Sequence, residues 1–342
     1  MNMVKINNSF SLRQVCLWGL FGGLATLTGC TDSVRLAPRL KSGQTYAQKV
    51  HFLSDLRMMF PYADYQDSEM VLKYKVNEVN SEGVATVTVT IDSIKASMRS
   101  LSIVCKYDSE TPAESKEEKR PGGKPSHQEQ YTRSFEGVKG SKFSAQVDAQ
   151  GRLLKFLEVD KKIQKFVSGP ISSAYFGGYQ LALLFSETNL RDYVSLWMYG
   201  FLAGAEPEVG KTWTGYMPVE SSQTAPVMAL KNYTLKSVDE KDGDKIATFA
   251  LGAKGPVKQP ALPEYVAVNL KRRKPEMEIV KVEHGSGEAV LSLSGGHPIK
   301  FYEKIITEVR LAGKKNQELL SRSKNQKKTF YFMEKTIEYI SK

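Results

Sequence analysis

Val84-Ala85-Thr86-Val87-Thr88-Val89-Thr90-Ile91 is the stretch whose reading decides the fold. In an extended chain Val84, Thr86 and Thr88 fall on one side and Ala85, Val87 and Val89 on the other, and the run is almost wholly β-branched. Side chains stiff at χ1 that alternate in this way suit a pleated strand with one face against a core. Just before it, Asn80-Ser81-Glu82-Gly83 places glycine where a tight turn needs a positive φ, and Met70 to Val79 supplies the preceding strand.

Working outward, the same criteria predict strands at Gln44 to Leu53, Leu101 to Tyr107, Lys142 to Val147 and Leu153 to Val159. The second half adds Thr212 to Pro218, Ala229 to Val238, Lys245 to Ala250, Glu278 to Glu283, Glu288 to Ser294, His297 to Leu311 and Lys328 to Ile340. Glycine turns at Asp148-Ala149-Gln150-Gly151 and Lys241-Asp242-Gly243-Asp244 separate several of them. The expectation is a mainly β protein of antiparallel sheets.

The two halves repeat one another in order. Gly43-Gln44-Thr45-Tyr46 matches Gly210-Lys211-Thr212-Trp213. Tyr74 to Val79, a glycine turn and Val84 to Val89 match Tyr233 to Val238, a glycine turn and Ile246 to Leu251. Gly151 to Phe156 matches Gly296 to Phe301. Two similar halves, residues 41–160 and 206–342, are therefore expected to pair edge to edge or pack face to face, as a half-barrel or a sandwich.

Between them, residues 161–205 change from period two to a helical spacing, with Phe166, Tyr175, Tyr179, Phe185, Trp197 and Phe201 among the recurring aromatics. Pro170, Gly177-Gly178, Glu187, Arg191 and Asp192 interrupt the apolar run, so no span long enough to cross a bilayer results. A helix pair packed on the sheet fits this pattern, and so does a helical cover over an apolar groove formed by those six aromatics. Residues 109–130, with Pro112, Pro121, Gly122, Gly123 and Pro125 among mixed charges, read as a disordered loop.

At the N-terminus, Lys5 and Arg13 precede an apolar core from Val15 to Leu27, then Thr28-Gly29-Cys30. At an α-helical rise that core spans roughly 20 Å, short of a bilayer's hydrocarbon layer, as a cleavable signal does. Leu27-Thr28-Gly29-Cys30 resembles the lipobox of bacterial lipoprotein precursors. The resemblance implies diacylglycerol and palmitate on Cys30, cleavage between Gly29 and Cys30, and residues 1–29 as signal peptide. Residues 30–40 would then be a lipidated tether. Thr31 in place of aspartate after the cysteine points to the outer membrane, with the protein facing the periplasm. Two or three acyl chains anchor far more firmly than one.

Three cysteines are present, Cys16, Cys30 and Cys105. With Cys16 in the leader and Cys30 acylated, no disulfide can form within the mature chain, and Cys105 reads as a buried structural thiol. Loss of Lys5 and Arg13 takes the formal +11 to about +9, which favours solubility and tolerates anionic surfaces. Lys271-Arg272-Arg273-Lys274 and Lys314-Lys315 read as solvated loop tips, not as a nucleic-acid site.

No catalytic constellation emerges. His51, His127, His284 and His297 stand alone in sequence, with no metal spacing, no cysteine–histidine pattern, no nucleophile elbow and no phosphate loop around Gly285-Ser286-Gly287. The expectation is a non-enzyme without metal or cofactor. Leu40-Lys41-Ser42-Gly43-Gln44-Thr45-Tyr46, the Phe143 to Phe156 strand and turn, and Val209-Gly210-Lys211-Thr212-Trp213 resemble a family of bacterial envelope lipoproteins with no assigned activity. More distantly, an anchored antiparallel sheet with helices over one face is similar to the half-barrels of lipoprotein carriers and receptors. The resemblance implies an envelope lipoprotein acting as a structural or interaction module, meeting the membrane through Cys30 and another envelope protein. The alternative is a carrier of an apolar ligand or lipid beneath the helical insert.

Overall fold

The computed structural model describes residues 40–57, 64–100, 103–111, 125–168, 177–197, 208–219, 224–258, 261–262, 277–311 and 329–340, all within one compact unit, Val34–Lys342. Gly29, Cys30, the tether up to residue 39, Tyr175 and Phe201 lie outside them. The chain begins with strands β1 (Thr45–Arg57), β2 (Asp64–Val79), β3 (Ala85–Ser100) and β4 (Ile103–Asp108), then helix α1 (His127–Phe135) and strands β5 (Lys142–Val147) and β6 (Leu153–Val159). Helices α2 (Lys161–Ser168), α3 (Gly178–Leu184) and α4 (Glu187–Trp197) follow. The second half comprises β7 (Thr212–Val219), β8 (Thr224–Ala225), β9 (Val227–Lys241), β10 (Asp244–Val257), β11 (Met277–Ser292), β12 (His297–Leu311) and β13 (Thr329–Ile340).

The protein is mainly β, and its strands form one continuous sheet in the order β6-β5-β3-β2-β1-β13-β12-β11-β10-β9-β7. All pairs on that path are antiparallel; β4 adds to β3, and the two-residue β8 lies parallel to β11. The expected plural sheets are thus one. Its halves join edge to edge through β13, which pairs with β1 on one side and β12 on the other.

The repeat is visible in the register. Tyr46 faces Tyr74 and Tyr74 faces Val89; in the second half Trp213 faces Tyr233 and Tyr233 faces Leu251. An unpaired bulge residue falls at the same place in each hairpin, Asn77 on β2 and Lys236 on β9. Leu154 on β6 and Ile299 on β12 do likewise, two residues before Phe156 facing Ala145 and Phe301 facing Ala289. At each start a left-handed glycine, Gly43 (φ 80°) or Gly210 (φ 88°), donates its N–H to the next strand, to Val76 O or Leu235 O at 2.8 Å.

Alternation sets one face inward. Val50 and Phe52 on β1, Met70, Leu72 and Tyr74 on β2, and Val87, Val89 and Ile91 on β3 are buried, as are Phe249, Ala289, Phe301 and Ile305 of the second half. Cys105 is buried and in no disulfide, in agreement with its reading as a structural thiol. Helices α3 and α4 lie on the inner face of the sheet, α3 bonded to β2 through Gln180 and α4 to β13 through Asn189 and Asp192, with Leu181, Leu184, Phe185, Tyr193 and Val194 buried.

Two expectations are corrected. Residues 109–130 are not a loop throughout: Ser126 caps α1 by accepting from Glu129 N, and the helix buries Tyr131 and Phe135, one turn apart. Residues 112–124 of that stretch fall outside the described ones. Glu278 to Glu283 and Glu288 to Ser294 are a single strand, β11, because Gly285-Ser286-Gly287 carries the pairing with β12 through, facing Ile305, Lys304 and Glu303. A Cβ at Gly285 would stand 2.5 Å from Ala253 Cβ, and one at Gly287 would stand 2.1 Å from Tyr302 O, so only glycine fits between the neighbouring strands.

Candidate functional site

On the outer face, opposite the core, four strands align two rows of polar side chains. The first row runs His51, Glu69, Lys95 and Asp108 across β1 to β4; the second runs Leu53, Asp67, Ser97 and Lys106. Because facing residues in an antiparallel pair share one side, the register itself builds this ladder. All of these except the apolar Leu53 line, with Ala96, Tyr107 and Thr111, a groove of about 530 Å³.

His51 Nε2 and Asp67 Oδ1 are 2.7 Å apart, a diagonal contact across β1 and β2, and Tyr65 donates its hydroxyl to Asp67 Oδ2 at 3.5 Å. The hydrogen bond to Asp67 raises the imidazole pKa; partial burial pulls it down, the charges of Asp67 and Glu69 add to the rise, and Lys49 opposes it. Lys49 bridges Glu69 at 2.7 Å and Lys95 bridges Asp108 at 3.2 Å. Gln128 of α1 clamps the β4 backbone, accepting from Lys106 N and donating to Lys106 O. The groove therefore presents alternating charge and a histidine whose affinity for a proton is raised. Ser97 stands two strands from His51, across Asp67, so the order of a serine–histidine–aspartate relay is not made. Among the described residues no three His, Cys, Asp or Glu side chains converge as metal ligands do.

The inner face carries a second polar arrangement. Lys231 on β9 bonds Glu303 on β12 at 2.8 Å, Glu303 faces Lys335 on β13, and Lys335 bonds Asp192 and Asn189 of α4 at 2.7 and 2.9 Å. Lys231 also lies over the rings of Tyr233 and Phe301, and Lys335 over Tyr193. Burial acts to lower the Lys231 pKa, but Glu303 and its neighbours outweigh it and the net shift is upward, so the ammonium stays charged.

Of the aromatics expected to cover a groove, Phe166 and Phe185 meet each other with ring centroids 6.4 Å apart, and Phe185 is buried. Tyr179 and Trp197 lie on α3 and α4, but their side chains, like Tyr175 and Phe201 altogether, fall outside the described set. What fastens the insert is polar and was not anticipated. Gln180 accepts from Tyr131 Oη at 2.7 Å and donates to Ser68 Oγ at 2.5 Å and Asp67 O at 3.0 Å. His51 likewise is not alone in space, and His297 packs on Tyr339 with centroids 4.4 Å apart. Lys231, Glu303 and Lys335 were legible in principle: each occupies the core-facing phase of its strand, between apolar neighbours such as Tyr233, Ile305 and Ile337.

No protein family and no curated protein matches the sequence. Among solved structures, the chain is distantly similar to lipovitellin, in a structure of its lipid–protein interactions, with a TM-score of 0.44 and 7% identity over 89% of this chain. It spans about a quarter of that protein's length, 26%. Weaker likenesses are to DynF of the dynemicin pathway of Micromonospora chersina (TM-score 0.18, 6% identity, 93% of this chain and 92% of that) and to Pseudomonas aeruginosa OccK5 (0.23, 7%, 89% and 100%). Among the described residues no helix is long and apolar enough to cross a membrane, which says nothing of strands.

Proposed function

We propose that the protein is a lipid-anchored bacterial envelope lipoprotein acting as a non-enzymatic interaction and structural module, moored through acylated Cys30 and facing the periplasm from the outer membrane. The observation that carries the module reading is the packing of α3 and α4 on the inner face of the sheet. Leu181, Leu184, Phe185 and Tyr193 are buried there, and Gln180 and Lys335 fix the helices to three strands. A concave face occupied by the chain's own side chains leaves the outer charged ladder and the sheet edges as the surfaces a partner meets. The anchor rests on Leu27-Thr28-Gly29-Cys30 and the apolar run before it.

Intact mass of the protein purified from its own membranes tests the anchor: a chain starting at Cys30 and carrying acyl mass is expected, and an unmodified or full-length mass overturns it. Organic extraction of a soluble Cys30→Ala form tests the module. No bound acyl chain is expected; near-stoichiometric lipid would replace the module by a carrier.

A further inference from the structure

Among the described residues the path of the sheet ends at β7, whose outer edge none of them pairs, and the two ends of the sheet differ in kind. At the far end, β6 is broken by bulges at Leu154 and Leu157 and carries Lys155 and Glu158, the devices that keep an edge from pairing. Thr212-Trp213-Thr214-Gly215-Tyr216-Met217-Pro218-Val219 of β7 has no charge and no bulge; its register with β9 is unbroken from Thr212 facing Thr234 to Val219 facing Val227. Thr212, Thr214 and Tyr216 are exposed, Tyr216 at 55%, and Val209 just before the strand is exposed at 62%.

The backbone of β7 is poised in the same sense. Lys211 O accepts from Leu235 N at 3.1 Å, so alternation turns the groups of Trp213 toward β9 and those of Thr212, Thr214 and Tyr216 to the free edge. Pro218, which has no N–H, falls in the outward set, where its missing donor breaks no bond to β9. The internal repeat says what such an edge accepts. Gly210 to Val219 corresponds to Gly43 to Phe52, and the equivalent edge of β1 is taken by an antiparallel strand, with Ala47 facing Ile340 through Phe52 facing Lys335.

We propose that the free edge of β7 pairs antiparallel with the same edge of a second copy of this chain, about a two-fold axis at Thr214. This goes beyond the function proposed above and does not depend on the anchor. Centred there, Thr214 faces Thr214 in a hydrogen-bonded pair, and Thr212 faces Tyr216 in another. Trp213 faces Gly215, so that facing side chains keep to one side of the sheet. A Cβ at Gly215 would meet only Tyr233 Cε2, at 3.8 Å, so the inner side there is open to an incoming indole. An aromatic over a cross-strand glycine, a threonine pair and an uncharged edge are each favourable in such a pairing. The sheet then runs unbroken through both copies.

Full-length chains bearing two different tags, co-expressed and captured through one tag, test this. Wild-type chains are expected to capture one another. Thr214→Lys with itself, or Thr214→Glu with itself, sets like charges opposite each other across the axis and is expected to lower capture about fivefold or more. Mixed Thr214→Lys and Thr214→Glu chains are expected to regain it, which a folding defect could not produce. Lys155→Glu at the opposite edge leaves capture unchanged. Absent capture of wild type, capture indifferent to Thr214, or capture lost on Lys155→Glu each overturns the proposal.

Discussion

Lys231 Nζ lies 2.8 Å from Glu303 Oε1, although β10 and β11 run between their strands. In a flat sheet three strand spacings would hold the two backbones about 14 Å apart. The long side chains reach toward each other over Gly285 and Gly287 of β11, which put no side chain in the way. Side-chain exposures of 6% and 3% mean that the pair meets almost without water.

Removing one partner strands the other in the core. Lys231→Met is expected to destabilise the fold by about 3–5 kcal/mol, the scale for an orphaned buried charge. Lys231→Met together with Glu303→Leu should restore most of that loss, since an apolar pair of similar volume has no charge to desolvate. Urea unfolding of the two variants decides it. Equal destabilisation by single and double changes would mean that packing, not charge, governs the site.

The close approach of β12 makes a separate demand on Gly287. A Cβ there meets Tyr302 O at 2.1 Å and Glu303 Cα at 3.0 Å, both backbone atoms of the neighbouring strand. Gly287→Ala is therefore expected to cost about 1–3 kcal/mol through forced backbone shifts. Gly215→Ala, with open space around it, should cost less in the same thermal melt. Reversed ranking would refute the steric account.

Gln180 joins the insert to the sheet with both ends of its amide. Gln180→Leu leaves the buried Tyr131 hydroxyl and Ser68 without this partner and is expected to cost about 1–3 kcal/mol. Adding Tyr131→Phe removes the stranded hydroxyl and should recover part of the loss. Hydrogen exchange of α3 amides in the single variant gives a second readout, with faster exchange expected if the amide fastens the helix.

Much of this architecture could be read from the residues. Lys142–Val147, Leu153–Val159 and His297–Leu311 have the bounds that alternation and glycine turns indicate, because a half-buried strand writes its period directly into the chain. Helix α1 escaped because only Tyr131 and Phe135 of its nine residues are buried, so a polar composition hid a short amphipathic helix. β11 was divided because glycine mid-strand reads as a break until the neighbouring strand's approach is known. The outer ladder depends on register: His51 and Asp67 are brought together by the antiparallel pairing of β1 with β2, and a slip of one residue would turn Asp67 to the other face.

That pairing has a pH signature. Hydrogen bonding to Asp67 raises the His51 pKa above its ordinary value near 6.5, against partial burial, with Glu69 adding and Lys49 opposing. Protons bind the folded form more tightly, so the stabilisation is fully present below the unfolded value. It is lost as pH rises through the folded one. With side chains 40% and 36% exposed, solvent screening limits the contribution to the range of surface pairs, about 0–1 kcal/mol. The titration itself is the sharper test. The Cε1 proton of His51 is expected to titrate above an ordinary histidine, and Asp67→Asn to bring it back down by removing both the acceptor and its charge. Glu69→Gln should lower it less, because Glu69 acts only through space. A wild-type His51 that titrates at or below the ordinary value, or one unmoved by Asp67→Asn, would show that the first two strands do not hold this register in solution.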